Sequence, residues 1–316
     1  MELKCVLNRF SIDWRRTFVE SCALLCLMVG LGASSAPARA EQLIETRESL
    51  YNNIFVYRDQ TYVTMTFGYN KRIYTESRMN LADRTELPVA YTRFMTVALA
   101  YAQERSALAM IGLGGGRTSQ YLHQFMPEMD IDVVELDPDV IALARKHFSL
   151  QEGPRYRVHA ADGRLYLRRV ARTYDIVLVD AYRGPFVPFH LMTREFYELL
   201  RTRLKQGGVV AQNVEPSTML FDSAIATMRA VFDQVDMYPA GGNVVVVAYD
   251  GPKRELSGLE ARAAALQQTL SLPYPLPELV AARRRLVSPL DGKILTDDFA
   301  PANMLKAIEQ RNRKWQ

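Results

Sequence analysis

From residue 107 the chain repeats one unit: a short apolar run, a turn, then a stretch with apolar residues at helical spacing. The runs are ALAMIG, DIDVVELD, YRVHAAD, YDIVLVDA and GGVVAQNV, with DPDVIALARKHF and MTREFYELLRTRL among the stretches between them. Strands alternating with helices in this way build a parallel sheet through right-handed crossovers. An α/β layer is therefore expected over most of the chain. The first unit, MIGLGGGRTSQYL at 110–122, carries Gly112, Gly114, Gly115 and Gly116 between its strand and its helix. Glycines there let the backbone turn tightly and approach a ligand closely.

The flanks differ from this core. Residues 45–80 alternate and are rich in Tyr, Thr, Val and Phe, which predicts a small antiparallel sheet. From about residue 84, ELPVAYTRFMTVALAYAQE predicts a helix leading into the first parallel strand. QVDMYPAGGNVVVVAYD reads as two strands about a Gly-Gly turn, and the tail after 251 as polar helix with a break at LPYPLPE. Residues 1–40 open with Arg15 and Arg16, run apolar from Cys22 to Leu31 and close on Ala38-Arg39-Ala40. That is the form of a secretory signal peptide, its apolar run too short to span a bilayer. RRTFV resembles a twin-arginine signal, with Trp14 where Ser or Thr is usual. The expected domains are thus 1–40 signal peptide, 41–83 N-terminal β domain and 84–316 α/β domain. A periplasmic or secreted protein without a stable membrane anchor follows. The alternative is a cytoplasmic protein whose start codon is placed too far upstream.

All three cysteines, Cys5, Cys22 and Cys26, fall inside that signal, so a mature chain has no disulfide, thiol chemistry or zinc–cysteine site. Five basic and three acidic residues leave with it, lowering the net charge from +4 to +2. So small an excess does not argue for nucleic acid. The cluster RLYLRRVAR is expected to be a solvated helix face.

Three acidic residues stand at strand ends. Glu135, at the end of the second strand, can accept hydrogen bonds from both hydroxyls of a ribose. Asp162, at the end of the third, is in reach of an adenine amine. Asp180, at the end of the fourth, faces the ligand crevice of an open parallel sheet and can hold or deprotonate an attacking amine. Glycine loop, Glu135 and Asp162 form a nucleoside signature. The spacing GLGGGRTS departs from the dinucleotide fingerprint, and no Gly-Lys-Ser/Thr of a P-loop follows. His190, ahead of Thr193, is expected to pack rather than to act as a base.

These residues resemble the spermidine synthase (polyamine aminopropyltransferase) family, in its bacterial spermidine-synthase-like branch. ESLYNNIFV is similar to Q-S-x-Y-x-x-I-x-V with Glu48 for glutamine, and IGLGGGRT to I-G-G-G-D-G-G-T. VELDPDVI is similar to V-E-I-D-x-x-V-I, AADGRLYL to the G-D-G segment, and YDIVLVDAYRGP to the strand ending in D-S-[ST]-D-P. The resemblance implies an S-adenosylmethionine-methyltransferase-like Rossmann domain, with its closing hairpin, behind a small N-terminal antiparallel β domain. It implies decarboxylated S-adenosylmethionine as donor (or S-adenosylmethionine), bound by the glycine loop, Glu48, Glu135 and Asp162, and no metal. Asp180 and Tyr91 take the catalytic positions, and Tyr182 and Arg183 the substrate side. A small-molecule amine is the implied acceptor, and association as a homodimer is expected.

Two acids of the family pattern are absent. Gly115 stands for the acid of the glycine loop, and Arg183 for the second acid of D-S-[ST]-D-P. At about 4 Å and an effective dielectric near 20, a unit charge pair is worth roughly 4 kcal/mol, so an inward Arg183 disfavours a diamine. Arg183 then receives a carboxylate; alternatively it points to solvent and Glu215 or Asp298 supplies the acid. The leading expectation is aminopropyl transfer to an amine. The alternatives are an S-adenosylmethionine-dependent methyltransferase and an exported, non-catalytic nucleoside- or polyamine-binding protein.

Overall fold

The computed structural model describes residues 41–69, 72–184, 186–284 and 292–298. The expected signal peptide, residues 1–40, lies outside the described residues. The Tyr- and Thr-rich segment forms a four-stranded antiparallel meander: β1 (Gln42–Glu48), β2 (Asn53–Arg58), β3 (Tyr62–Tyr69) and β4 (Arg72–Asn80).

The apolar runs downstream form β5 (Ala107–Ile111), β6 (Asp130–Glu135), β7 (Tyr156–Ala160), β8 (Tyr174–Val179) and β9 (Leu204–Val214). They are parallel. The hairpin β10 (Gln234–Ala240) and β11 (Asn243–Tyr249) completes a seven-stranded sheet of order β7-β6-β5-β8-β9-β11-β10, β11 running against its neighbours. Gly241 and Gly242, at φ 65° and 105°, make the tight turn the sequence predicts. This is the Rossmann-like methyltransferase architecture behind an N-terminal β sheet, as expected.

The helices are α1 (Ala90–Met95), α2 (Ala98–Tyr101), α3 (Arg117–Phe125), α4 (Pro138–His147), α5 (Gly163–Arg169), α6 (Arg194–Arg203), α7 (Phe221–Val231), α8 (Leu256–Leu270) and α9 (Leu276–Ala281). Strand residues alternate between two cores. Leu108 and Met110 share one with Met95, Tyr101, Tyr121 and Leu259. Ala109 and Ile111 share the other with Leu167, Phe196 and Ile225. The single helix expected over 86–104 is broken at Thr96–Val97. There the amides of Thr96, Val97, Leu99 and Ala100 each bond the carbonyl three residues back, a tightened turn.

A third cluster joins Ile54, Val56, Met65 and Met79 of the meander to Val140, Leu143 and Phe148 of α4 and its C-cap. Ion pairs reinforce this seam: Glu45 lies 2.6 Å from both Lys146 and His147, and hydrogen bonds from these two hold its carboxyl down to about 2. Asp137 caps α4 through Oδ1 and accepts Ser49 Oγ at 2.5 Å through Oδ2. The RLYLRRVAR cluster is only partly a solvated face. Arg168 and Arg169 are exposed, but Arg164 pairs with Asp297 at 2.5 Å and Arg172 with Asp130 at 2.6 Å.

Phe148 also accounts for a residue of the glycine loop. A Cβ on Gly115 would lie 2.5 Å from the Phe148 ring and 2.7 Å from Ser77 Oγ. No side chain fits without displacing this packing. Gly115→Asp, which restores the acid of the family pattern, is expected to destabilise the protein by about 2 kcal/mol through overpacking. The midpoint of urea denaturation measures this.

Candidate functional site

The chain reverses its path across the sheet between β5 and its neighbours, and crevices open at such a switch point, beyond the carboxyl ends of the strands. Here the crevice is a cavity of about 640 Å³. Gly112 and Gly114 follow β5, Glu135 ends β6 and Asp137 follows it, Asp162 follows β7, and Asp180 to Arg183 follow β8; all line it. The 3₁₀ turn Phe189–Leu191 lines it with Val214, Glu215 and residues 218–220, as do Tyr51, Asn52 and Phe67 of the meander.

Gly112 makes the crevice possible. Its φ is 95°, and a Cβ there would stand 2.2 Å from the carbonyl oxygen of Asp180. The end of β5 is thereby free to pass directly beside the end of β8. Gly115 and Gly116 do not line the cavity; Gly116 adopts φ 70° as N-cap of α3. Glu48 is also outside it, exposed on β1, while its neighbours Tyr51 and Asn52 reach in.

The carboxylates are oriented before any ligand arrives. Glu135 accepts the Leu113 amide at 2.9 Å and the Asp137 amide at 3.0 Å. Burial raises its pKa, and these two amides oppose the rise. Asp162 caps α5 by accepting the Leu165 amide at 2.8 Å, and His190 Nε2 meets its other oxygen at 3.0 Å. His190 thus lines the cavity instead of packing in a core.

Asp180 is held by side chains from two other elements. Its Oδ1 accepts Asn213 Nδ2 at 2.9 Å, and the Tyr91 hydroxyl from α1 donates to the same carboxylate. Burial pushes it up to about 6, against the pull of those two hydrogen bonds. Asn213 is itself fixed: its Oδ1 accepts Asn243 Nδ2 at 2.8 Å, and its carbonyl accepts the Tyr182 hydroxyl at 3.0 Å. Neither asparagine is evident as a site residue in the sequence, where Asn213 lies inside the run VVAQNV and Asn243 follows the Gly-Gly turn.

A further acid, Glu76 on β4, was also missed. It lines the cavity, and burial together with the charges of Asp180 and Glu135 raises its pKa well above the usual carboxylate range. With Glu135, Asp137, Asp162, Asp180 and Glu215 against Arg183, the described lining carries an acidic excess that favours a cation. Arg183 is exposed at the rim and has no ion pair among the described residues, so solvent screens its charge. Glu215, at the end of β9, lines the cavity, whereas Asp298 does not. Leu136, Phe186, Val187, Leu191 and Met219 supply an apolar wall for a flat ring.

Residues 90–241 match the model of the spermine/spermidine synthase domain. The chain is 31% identical to a polyamine aminopropyltransferase of Vibrio vulnificus, over 90% of this chain and 97% of that one. A probable spermidine synthase of Corynebacterium glutamicum has the same fold, at TM-score 0.61 and 21% identity, over 79% of this chain and 99% of the other. The spermidine synthase of Thermotoga maritima gives a TM-score of 0.62 at 19% identity, over 78% and 84%. Such identity across nearly the whole of a relative, on a crevice with the glycine loop, Glu135 and Asp180 in place, means that the chain belongs to the spermine/spermidine synthase family.

Proposed function

We propose that the protein is an aminopropyltransferase, moving an aminopropyl group from decarboxylated S-adenosylmethionine to a small amine. The observation that carries this reading is the Asp180 carboxylate, held by Tyr91 and Asn213 in an acidic cavity beside a prearranged Glu135.

The donor supplies a carbon activated by a sulfonium leaving group. The residues do the rest. Glu135, anchored by two amides, keeps lone pairs toward the cavity for ribose hydroxyls. Asp162 receives the adenine amine, and the apolar wall from Leu136 to Leu191 covers the ring. The acceptor attacks as a neutral amine. Its nitrogen forms the new C–N bond, the C–S electron pair leaves with sulfur, and the nitrogen's proton passes to Asp180. Tyr91 and Asn213 keep the receiving oxygen turned to that nitrogen, so alignment carries much of the barrier.

The acidic lining favours this over methyl transfer, because the carboxylate of intact S-adenosylmethionine would face Glu76, Asp180 and Glu135. A non-catalytic binding protein has no use for an Asp180 poised to accept a proton. Processing after Ala40 and export belong to this proposal and are supported by the composition of residues 1–40. N-terminal sequencing of the protein from its native host is expected to begin at Glu41; a start at Met1 removes export.

Asp180→Asn separates function from stability. It is expected to lower kcat by about 10²- to 10⁴-fold and to leave methylthioadenosine binding nearly unchanged. Retained turnover removes Asp180 from the mechanism. In the wild type, kcat falls as pH drops through about 6, where Asp180 becomes protonated. The sign for stability is opposite. A carboxyl raised from 3.8 to about 6 holds its proton longer in the folded state, so its ionisation costs stability as pH rises through that window. The Asn variant is therefore expected to gain about 2 kcal/mol at neutral pH, a gain lost below about pH 4, read from denaturation at both pH values.

A further inference from the structure

One buried acid in the cavity has no part in that chemistry. Asp180 is engaged by Asn213 and Tyr91, Glu135 by two amides, and Asp162 by an amide and His190. The Glu76 carboxyl has no hydrogen bond or ion pair among the described residues. It is nonetheless enclosed, and it faces two other carboxyls. An unpartnered acid is costly in such a place unless a cation completes it.

Its place says which cation. The charges it feels are those of Asp180, beside the reacting amine, and Glu135, beside the ribose. The sulfonium and the three-carbon group to be transferred lie between those two ends. The backbone of Glu76 stands over the glycine loop: a Cβ on Gly114 would lie 3.7 Å from the Glu76 carbonyl oxygen. The loop itself offers no acid, and Phe148 and Ser77 fill the space a side chain at Gly115 would need.

Resting on the aminopropyl-transfer reading, we infer that Glu76 is a specificity-determining residue that holds the terminal ammonium of the transferred aminopropyl group. The acid that selects this group is carried by β4 of the meander instead of by the glycine loop. Glu76 also sets donor choice. A carboxylate on the carbon bearing that ammonium, as in intact S-adenosylmethionine, would stand against Glu76 itself.

Isothermal titration of the full chain and of Glu76→Gln, with decarboxylated S-adenosylmethionine and with methylthioadenosine, tests this. Methylthioadenosine keeps the nucleoside and lacks the ammonium. The variant is expected to lose about 10-fold or more in affinity for the decarboxylated donor and to bind methylthioadenosine as the wild type does. Its preference for the decarboxylated over the intact donor shrinks by a similar factor, and Glu76→Asp restores part of it. Equal loss of both ligands makes Glu76 structural and overturns the inference. So does unchanged donor affinity, with or without a raised KM for the amine. Wild-type protein that binds neither nucleoside overturns the aminopropyl-transfer reading, and with it this inference; wild-type transfer with an unaffected Glu76→Gln variant overturns the inference alone.

Discussion

Three strand ends meet at Gly112, and the site depends on how closely they do so. The Gly112 amide bonds the Val134 carbonyl of β6 at 2.9 Å, and the Asp180 amide bonds Ile111 of β5 at 2.8 Å. Those two bonds bring the chain segments bearing Glu135 and Asp180 to opposite sides of a residue that has no side chain. Any Cβ there would strike the Asp180 carbonyl, so the approach and the glycine are one constraint. With it satisfied, Glu135 at the end of β6 and Asp180 just after β8 open into one cavity. The same turn directs the Leu113 amide at Glu135, so the backbone that makes room for a ligand also orients the acid that would hold it.

The enclosed carboxyls set the electrostatic character of the protein. Glu76, Asp180 and Glu135 are all raised by burial, and Glu76 is raised further by the other two. Mutual repulsion in a partly dry cavity is tolerated because hydrogen bonds fix Asp180 and Glu135, leaving one acid to be completed by a cation. An Asp180 near 6 is ionised at neutral pH yet close enough to that pH to receive a proton, the condition general-base chemistry requires. The stability given up by burying it is the counterpart of that competence.

Legibility in the sequence followed the range of the contacts. The strand–helix alternation is local, and it yields the parallel sheet and its closing hairpin. Glycine loop, Glu135, Asp162 and Asp180 are legible because strand ends in such a sheet converge whatever their sequence separation. Asn213 and Asn243 are not. Asn213 reaches Asp180, and Asn243 holds Asn213, only because β9 lies between β8 and β11, an order no local pattern encodes. Glu76 sits on an antiparallel strand that folds over the glycine loop from another sheet. Glu48 shows the reverse case: the motif around it matches the family, but on β1 its side chain faces solvent while Tyr51 and Asn52 enter the cavity. The broken helix at Thr96 reflects tertiary packing overriding periodicity.

The two departures from the family pattern have different physical meanings. At Gly115 the space is taken: Phe148, which also ties the meander to α4, occupies the volume an acid would need. A change at one position is thereby coupled to the packing of another sheet, and that sheet brings Glu76 back into the same cavity. At Arg183 the space is open. The side chain stands in solvent at the rim, where a unit charge is screened, and Glu215 at the end of β9 offers an acid within the lining. Neither change therefore empties the cavity of negative charge. Glu135 and Glu76 are carried on strands, and strand-borne groups are held more rigidly than loop-borne ones. Such rigidity favours a small cationic substrate whose charged end meets a fixed acid at one distance.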